Sequence, residues 1–461
     1  MIRLVAGALL MLAIAGTATA REAPPEPGEP RDFVLPAKET VRLASGLALT
    51  FIDYGTVPKV TVLAVVRTGN IDDGESTWLA DVAVEMLKEG TATRPAAEIA
   101  RSAAAMGGTL SVGVGAEQTY VSISALSEHA ANAAELVADV LRHPSFPESE
   151  LPRVLANFER SLSVARSQPD AQAGEALARL MYGDHPFGRM LPAPGQLANY
   201  DITDVRDFYA RNFGASRTHV YVAGRYDRVA LEAALRSAFG DWQEGPAATE
   251  LPPVANTTLQ LQLIDRPDAP QSSIRLAVPV PHPAHDLYFP TTLMNSLLGG
   301  TFGSRITSNI REDKGYSYSP DSSISAHRGG ALWIQQAEVT AEHTAAAFTE
   351  IYREIERLQR EPPPAEELAA IKSYRSGLFV IGNSSPNGVL GQLAFMDLHG
   401  LTDDFLTNWV ANIHAVTPEQ VTDMTRRFIQ PARMTVVVVG DLKKIGESVR
   451  ALPQLAGARM P

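Results

Sequence analysis

The stretch REDKGYSYSP, residues 311–320, sets a guanidinium seven positions ahead of a phenol, with a glycine between them. Ile306 and Ile310 fall four apart on one helical face, which puts Arg311 in the last turn of a helix, where a cation also suits the helix dipole. Gly315 can take the left-handed conformation that ends a helix. In a strand beginning there, Tyr316 and Tyr318 would share one face and Ser317 and Ser319 the other. The chain reversal can then bring the Arg311 fork and the Tyr318 hydroxyl toward one spot. A plainer reading competes: Arg311 pairs with Glu312 on the surface and the tyrosines pack at a core edge.

Other reactive residue types are sparse. His282 and His285 in PHPAHD are three apart, but the prolines place them in a loop with no third ligand close in sequence. The glycine-rich GGTFGSR lacks the Lys-Ser/Thr ending of a phosphate loop. No G-x-S-x-G nucleophile motif occurs.

The elements that must hold these residues come in two similar sets. In the first, LALTFI and KVTVLAVV alternate as strands, followed by a helix over about 76–88 that Ser76 or Thr77 can cap. A helix from Pro95 to Gly107, the strand pair TLSVGVG and TYVSISA, and helices over 129–142, 148–166, 171–182 and 203–213 come next, before the strand THVYVAG. In the second, LQLQLI and SSIRLAV are strands, and helices are expected over 286–298 and 303–313. YSYSPDSSIS and ALWIQQAEV form the strand pair, and a helix over 341–359 carries Phe348, Ile351, Ile355 and Leu358 on one stripe. The closing strand is MTVVVVG. The matched endings VRDFYARNFGASRTHVYVAG and VTDMTRRFIQPARMTVVVVG point to duplication. The expected fold is α+β: two homologous domains in tandem, 41–243 and 259–461, each a mostly antiparallel sheet packed with helices and joined by a linker over 244–258.

At the N-terminus a basic start, an apolar run from Leu4 to Gly16 and Ala18-Thr19-Ala20 read as a cleavable export signal over 1–20. The apolar run is too short to span a bilayer. A proline-rich lead-in over 21–40 comes after it. With no cysteine, stability must come from core burial rather than disulfides. A net charge of −12, spread along the chain, argues against nucleic acid and anionic membranes as partners. The expected location is the periplasm, with secretion as the alternative and no membrane insertion once the signal is removed.

This plan resembles the insulysin/pitrilysin superfamily of inverted-zinc-motif peptidases, in particular the two-domain branch containing mitochondrial processing peptidase. The resemblance rests on RTGNIDDGESTWLADVAVEMLKEGTATRPAAEI and HPFGRMLPAPGQL in the first half and, most specifically, on NSLLGGTFGSRITSNIREDKGYSYSPDSSIS in the second. Active members carry H-x-x-E-H on the first long helix, with a further glutamate from a later one. The resemblance places Asp81, Val84 and Glu85 at the His, Glu and His positions, and the distal ligand near Ser161. These are degenerate positions, not ligands, so no metal is expected in this chain. Two carboxylates one turn apart, Asp81 and Glu85, are more often a solvated face than a cation site. His185, in HPFGRMLPAPGQL, is expected to order a turn.

The same resemblance implies that Arg311 and Tyr318, rather than Tyr316, are the two donors that reach a bound peptide and hold its scissile carbonyl oxygen. In two-chain members one subunit has the zinc motif and the other the Arg/Tyr pair. The implied role is a non-catalytic, substrate-binding subunit, with zinc supplied by a homologous catalytic partner carrying H-x-x-E-H and with peptides as substrates. The alternative is a non-enzymatic peptide-binding or structural scaffold that forms a homodimer.

Overall fold

The computed structural model describes residues 33–460. The expected export signal and the lead-in up to residue 32 lie outside the described residues. The first half builds a six-stranded sheet from β1 (Lys38–Arg42), β2 (Ala48–Asp53), β3 (Lys59–Val66), β4 (Leu110–Val114), β5 (Thr119–Leu126) and β6 (Thr218–Gly224), in the order β1-β2-β6-β3-β5-β4. Every neighbouring pair is antiparallel except β2 with β6. β1 overlaps the end of the lead-in and was not expected as a strand.

The second sheet uses β7 (Gln260–Asp265), β8 (Gln271–Pro279), β9 (Asp321–His327), β10 (Gly330–Thr340) and β11 (Thr435–Gly440), in the order β7-β11-β8-β10-β9. Only β7 with β11 is parallel. Setting β1 aside, the two orders are identical. In each half the last strand returns to lie between the first and second, and its parallel pairing needs a long crossover. That central position explains why β11, TVVVVG, is buried at every residue. β5, nearer the edge, instead alternates buried and more exposed positions.

The helices of the first half are α1 (Leu79–Leu87), α2 (Ala96–Ala105), α3 (Ala130–Arg142), α4 (Leu151–Ser167), α5 (Pro169–Tyr182), α6 (Ile202–Asn212) and α7 (Arg228–Phe239). Those of the second begin with α8 (Tyr288–Leu298) and α9, one α turn over Arg305–Thr307 that continues as a π-helix over Ser308–Asp313. Then come α10 (Thr344–Arg360), α11 (Ala365–Gly382), α12 (Pro386–His399), α13 (Asp404–Thr407), α14 (Trp409–Ala415), α15 (Pro418–Phe428) and α16 (Leu442–Arg450). The α10 stripe of Phe348, Ile351, Ile355 and Leu358 is wholly buried. The segment 244–258 has no regular secondary structure. No helix among the described residues is long and apolar enough to cross a membrane.

Each half lends a helix to the other. α5 leaves its own sheet and packs on β8 and β11, where Ala173, Ala176, Leu177 and Met181 meet Ala277, Leu332, Val437 and Val439. The alanines let the helix sit close to the sheet, and burial is worth about 25 cal/mol per Å² of apolar surface. α12 does the reverse: it packs on β3 and β6, and its Leu393 and Met396 share one buried cluster with Ile52, Val65 and Tyr221. The hairpin tips meet as well. Glu117, between β4 and β5, accepts with either oxygen, at 3.2 Å, the backbone N–H of Arg328 in the turn after β9 and lies 3.4 Å from Nδ1 of His327, the last residue of β9.

Candidate functional site

The turn that presents Arg311 is anchored on three sides. At the start of α9, Arg305 donates two bonds to Glu367 of α11, at 2.9 and 2.7 Å. On the inner face Ile306 and Ile310 are fully buried. Asn309, 8% exposed, donates through Nδ2 to Glu350 and Glu354 of α10, each at 2.9 Å. With those positions fixed inward, Arg311 falls on the outer side. The π register is a local widening of the kind often found at functional sites.

The helix ends as the sequence predicts, with Gly315 at φ +66°. The segment beyond Gly315 departs from expectation. Residues 316–320 are not a strand, because both Tyr316 and Ser317 donate their N–H groups back to the Ile310 carbonyl, at 2.8 and 3.3 Å. Pro320 has no N–H for a ladder, and β9 begins only at Asp321. The two tyrosines therefore do not share a strand face. Tyr316 turns inward and stacks on His343 at 4.6 Å, Ser317 is buried, and Tyr318 is 80% exposed.

Arg311 and Tyr318 are side by side. The guanidinium carbon lies 5.1 Å from the Tyr318 ring centroid and 4.0 Å from that of Phe302, while Nε is 3.1 Å from a Glu312 oxygen. The Glu312 ion pair of the plainer reading forms, whereas Tyr318 is an exposed neighbour of the arginine rather than part of a core edge. Phe302 is 68% exposed and was missed. Its only signal was a large aromatic inside the glycine-rich GGTFGSR. An exposed cation–π contact contributes about 0.5–1 kcal/mol, enough to bias the guanidinium between the two rings.

The first-half motif lies on α1. Asp73 starts this helix, accepting from the backbone N–H of Ala80 at 2.7 Å and of Trp78 at 3.0 Å. The expected caps Ser76 and Thr77 do not serve, because Trp78, at φ +69°, occupies the cap position itself. Burial pushes the Asp73 carboxyl up to about 7 against these donors. Asn70 bridges Asp73 and Asp81, donating at 3.1 and 2.6 Å, and burial also raises the Asp81 carboxyl.

A zinc ion does not suit these residues. Val84 is 2% exposed and has no donor atom. Glu85 is paired with Lys88 at 2.8 Å. Ser161, on α4, donates its hydroxyl to the Asn157 carbonyl at 3.1 Å and faces solvent. That leaves Asp81 alone, already held by Asn70. Among the described residues no group of three or more His, Cys, Asp or Glu side chains is arranged to hold a metal. His282 and His285 lie in the loop before α8, with Nδ1 of His285 accepting the Leu287 N–H at 3.0 Å. His185 does order its turn, accepting the Phe187 N–H at 3.2 Å.

The class these features define is a duplicated α+β protein with no histidine on its first helix and with Arg311 beside an exposed Tyr318 in its second half. Comparison with known proteins agrees. Residues 52–195 match the model for insulinase (peptidase family M16), and residues 199–374 match that for the peptidase M16 inactive domain. The chain belongs to the M16 (insulinase) family. It is 23% identical over 387 residues to the uncharacterized zinc protease YmxG of Bacillus subtilis, covering 83% of this chain and 94% of that protein. It is 24% identical to an uncharacterized zinc protease of Mycobacterium tuberculosis, with 93% and 97% covered. Among solved structures, a peptidase M16 inactive domain from Pseudomonas fluorescens superposes with a TM-score of 0.82 at 22% identity, over 87% of this chain and 98% of the other. A protease from Helicobacter pylori gives 0.82 at 16% identity, over 88% and 100%. These structural likenesses concern the fold.

Proposed function

We propose that this chain is the non-catalytic, substrate-binding subunit of a heterodimeric zinc peptidase of the cell envelope. Its partner is a homologous chain that carries H-x-x-E-H and brings the zinc. Arg311 and Tyr318 supply the donors that hold the carbonyl oxygen of a peptide bond presented at the partner's site. The observation behind this reading is the pairing of Arg311 with an 80% exposed Tyr318 on a turn anchored from within. The absence of donors at Val84 and the occupied state of Glu85 fit the division of labour. β9, an edge strand that starts three residues after Tyr318, offers open backbone groups to which an extended peptide can add as a further strand.

The test uses the complex purified from its native source. Zinc should accompany the complex and be absent from this chain purified alone. Arg311→Ala and Tyr318→Phe should each lower kcat by about 10²–10³-fold while assembly is unchanged. An assembled Arg311→Ala complex that cleaves at the normal rate would refute the donor role.

A further inference from the structure

Away from Arg311, a cavity of about 470 Å³ opens between α8, α11, α12 and the α13–α14 pair. Tyr288, Phe379, Phe395, Phe405 and Trp409 line it, with Phe379 and Trp409 stacked at 4.3 Å and nearly parallel. Into this aromatic wall projects Arg375, its guanidinium carbon 5.9 Å from the Trp409 ring centroid. Arg375 makes no hydrogen bond or ion pair with any described residue, and its Nε is buried without a partner. Burial pushes the Arg375 guanidinium below its ordinary value, and no carboxylate among the described residues forms an ion pair with it.

Its neighbours behave differently. Lys372, one turn earlier, spends its ammonium on the His414 carbonyl at 2.8 Å, and Arg305 is forked onto Glu367. An arginine whose fork matches a carboxylate, set without one in an aromatic cavity, lacks an anion that also carries an apolar group. Leu378, which also lines the cavity, belongs to an exposed apolar stripe along α11. Tyr374, Leu378 and Ile381, spaced i, i+4 and i+7, are 48%, 43% and 69% exposed. A single small acid would leave that stripe uncovered, whereas an extended chain would cover it.

We propose that this groove binds the C-terminal end of a peptide. The terminal carboxylate sits on Arg375, the last side chain, aromatic or large aliphatic, fills the cavity, and the preceding residues lie along Tyr374, Leu378 and Ile381. This site is separate from the Arg311 turn and stands or falls apart from it.

The test is calorimetric titration of the full chain with acetyl-Ala-Ala-Phe as the free acid and as the C-terminal amide. The acid should bind saturably and the amide about 10- to 100-fold more weakly, the range for losing a charged hydrogen-bond pair. Arg375→Gln should bring the acid down to the amide's level with an unchanged thermal melt. Equal affinity for acid and amide, or no saturable binding by either, would overturn the proposal on the unaltered protein alone. Decanoate binding as tightly as the peptide would overturn the peptide assignment in favour of a lipid acid.

Discussion

Asn309 is the residue on which the Arg311 turn depends most. One amide nitrogen serves two acids of α10, and Asn309 and Glu354 are only 8% and 7% exposed. In Asn309→Ala, Glu354 keeps only Arg357, at 3.7 Å, and Glu350 keeps only Arg353, at 3.5 Å. A hydrogen bond to a charged group contributes about 1.5–3 kcal/mol, and Glu350 can recover some solvation, so the loss should come to about 2–4 kcal/mol. Unfolding entropy is about 2 cal/mol/K per residue, so a second half of about 200 residues melting on its own would lose about 5–10 °C. If the whole chain melts as one unit, the shift is about half that. Asn309→Asp should be worse than alanine at pH 7.5, because it puts a third carboxylate against two others. It should recover as pH falls toward 5 and the introduced carboxyl takes up a proton. Thermal unfolding followed by circular dichroism at the two pH values measures both. An alanine variant melting within 1 °C of the parent, or an aspartate no worse than alanine, would show that this amide does not hold the π turn.

Glu117→Gln removes the charge between the two hairpin tips, and a loss of about 1–3 kcal/mol in urea unfolding is expected. Buried His399 has its imidazole held down at about 4, chiefly by burial, with Glu117 opposing and His282, His327 and Arg328 adding to the depression. The unfolded imidazole protonates near 6.5, so the unfolded state binds the extra proton between pH 6.5 and 4 and stability falls as pH drops through that window. The cost is at most about 3 kcal/mol, and His399→Leu should flatten the profile there. Separate expression of residues 33–250 and 251–460 should give insoluble halves, because each leaves a sheet face bare, whereas co-expression should give a soluble complex. Two soluble monomeric halves would refute the interlocking of α5 and α12.

Much of the architecture was legible because it depends on local patterns. The α10 stripe, the uninterrupted valines of β11 and the matched strand–helix endings all report burial, and burial is what the sheets impose. The position of Arg311 was legible for the same reason: Ile306 and Ile310 point inward, so their neighbour faces out. What stayed hidden depended on partners distant in sequence. Nothing near Tyr316 announces His343, 27 residues on, so the two tyrosines were assigned one face when they take opposite ones. The Asp73 cap was hidden because Ser76 and Thr77 are good caps in isolation, and only the left-handed Trp78 displaces them.

The exchange of α5 and α12 was illegible for a different reason. The face made by Ala173, Ala176, Leu177 and Met181 reads the same whether the sheet it covers is its own or the other half's. Geometry decides between them, since α4 and α5 succeed each other without a loop long enough to turn back. The exchange also bears on the site. α5 covers β8 and β11 of the second sheet, and Glu117 grips the turn joining β10 to β9, the strand that leads out of the Arg311 turn. Arg311 and Tyr318 are therefore braced partly by the half that holds α1. In that half α1 is a structural helix, with Val84 packed in the core and Asp81 tied to Asn70, so the support it gives the other half needs no metal at these positions.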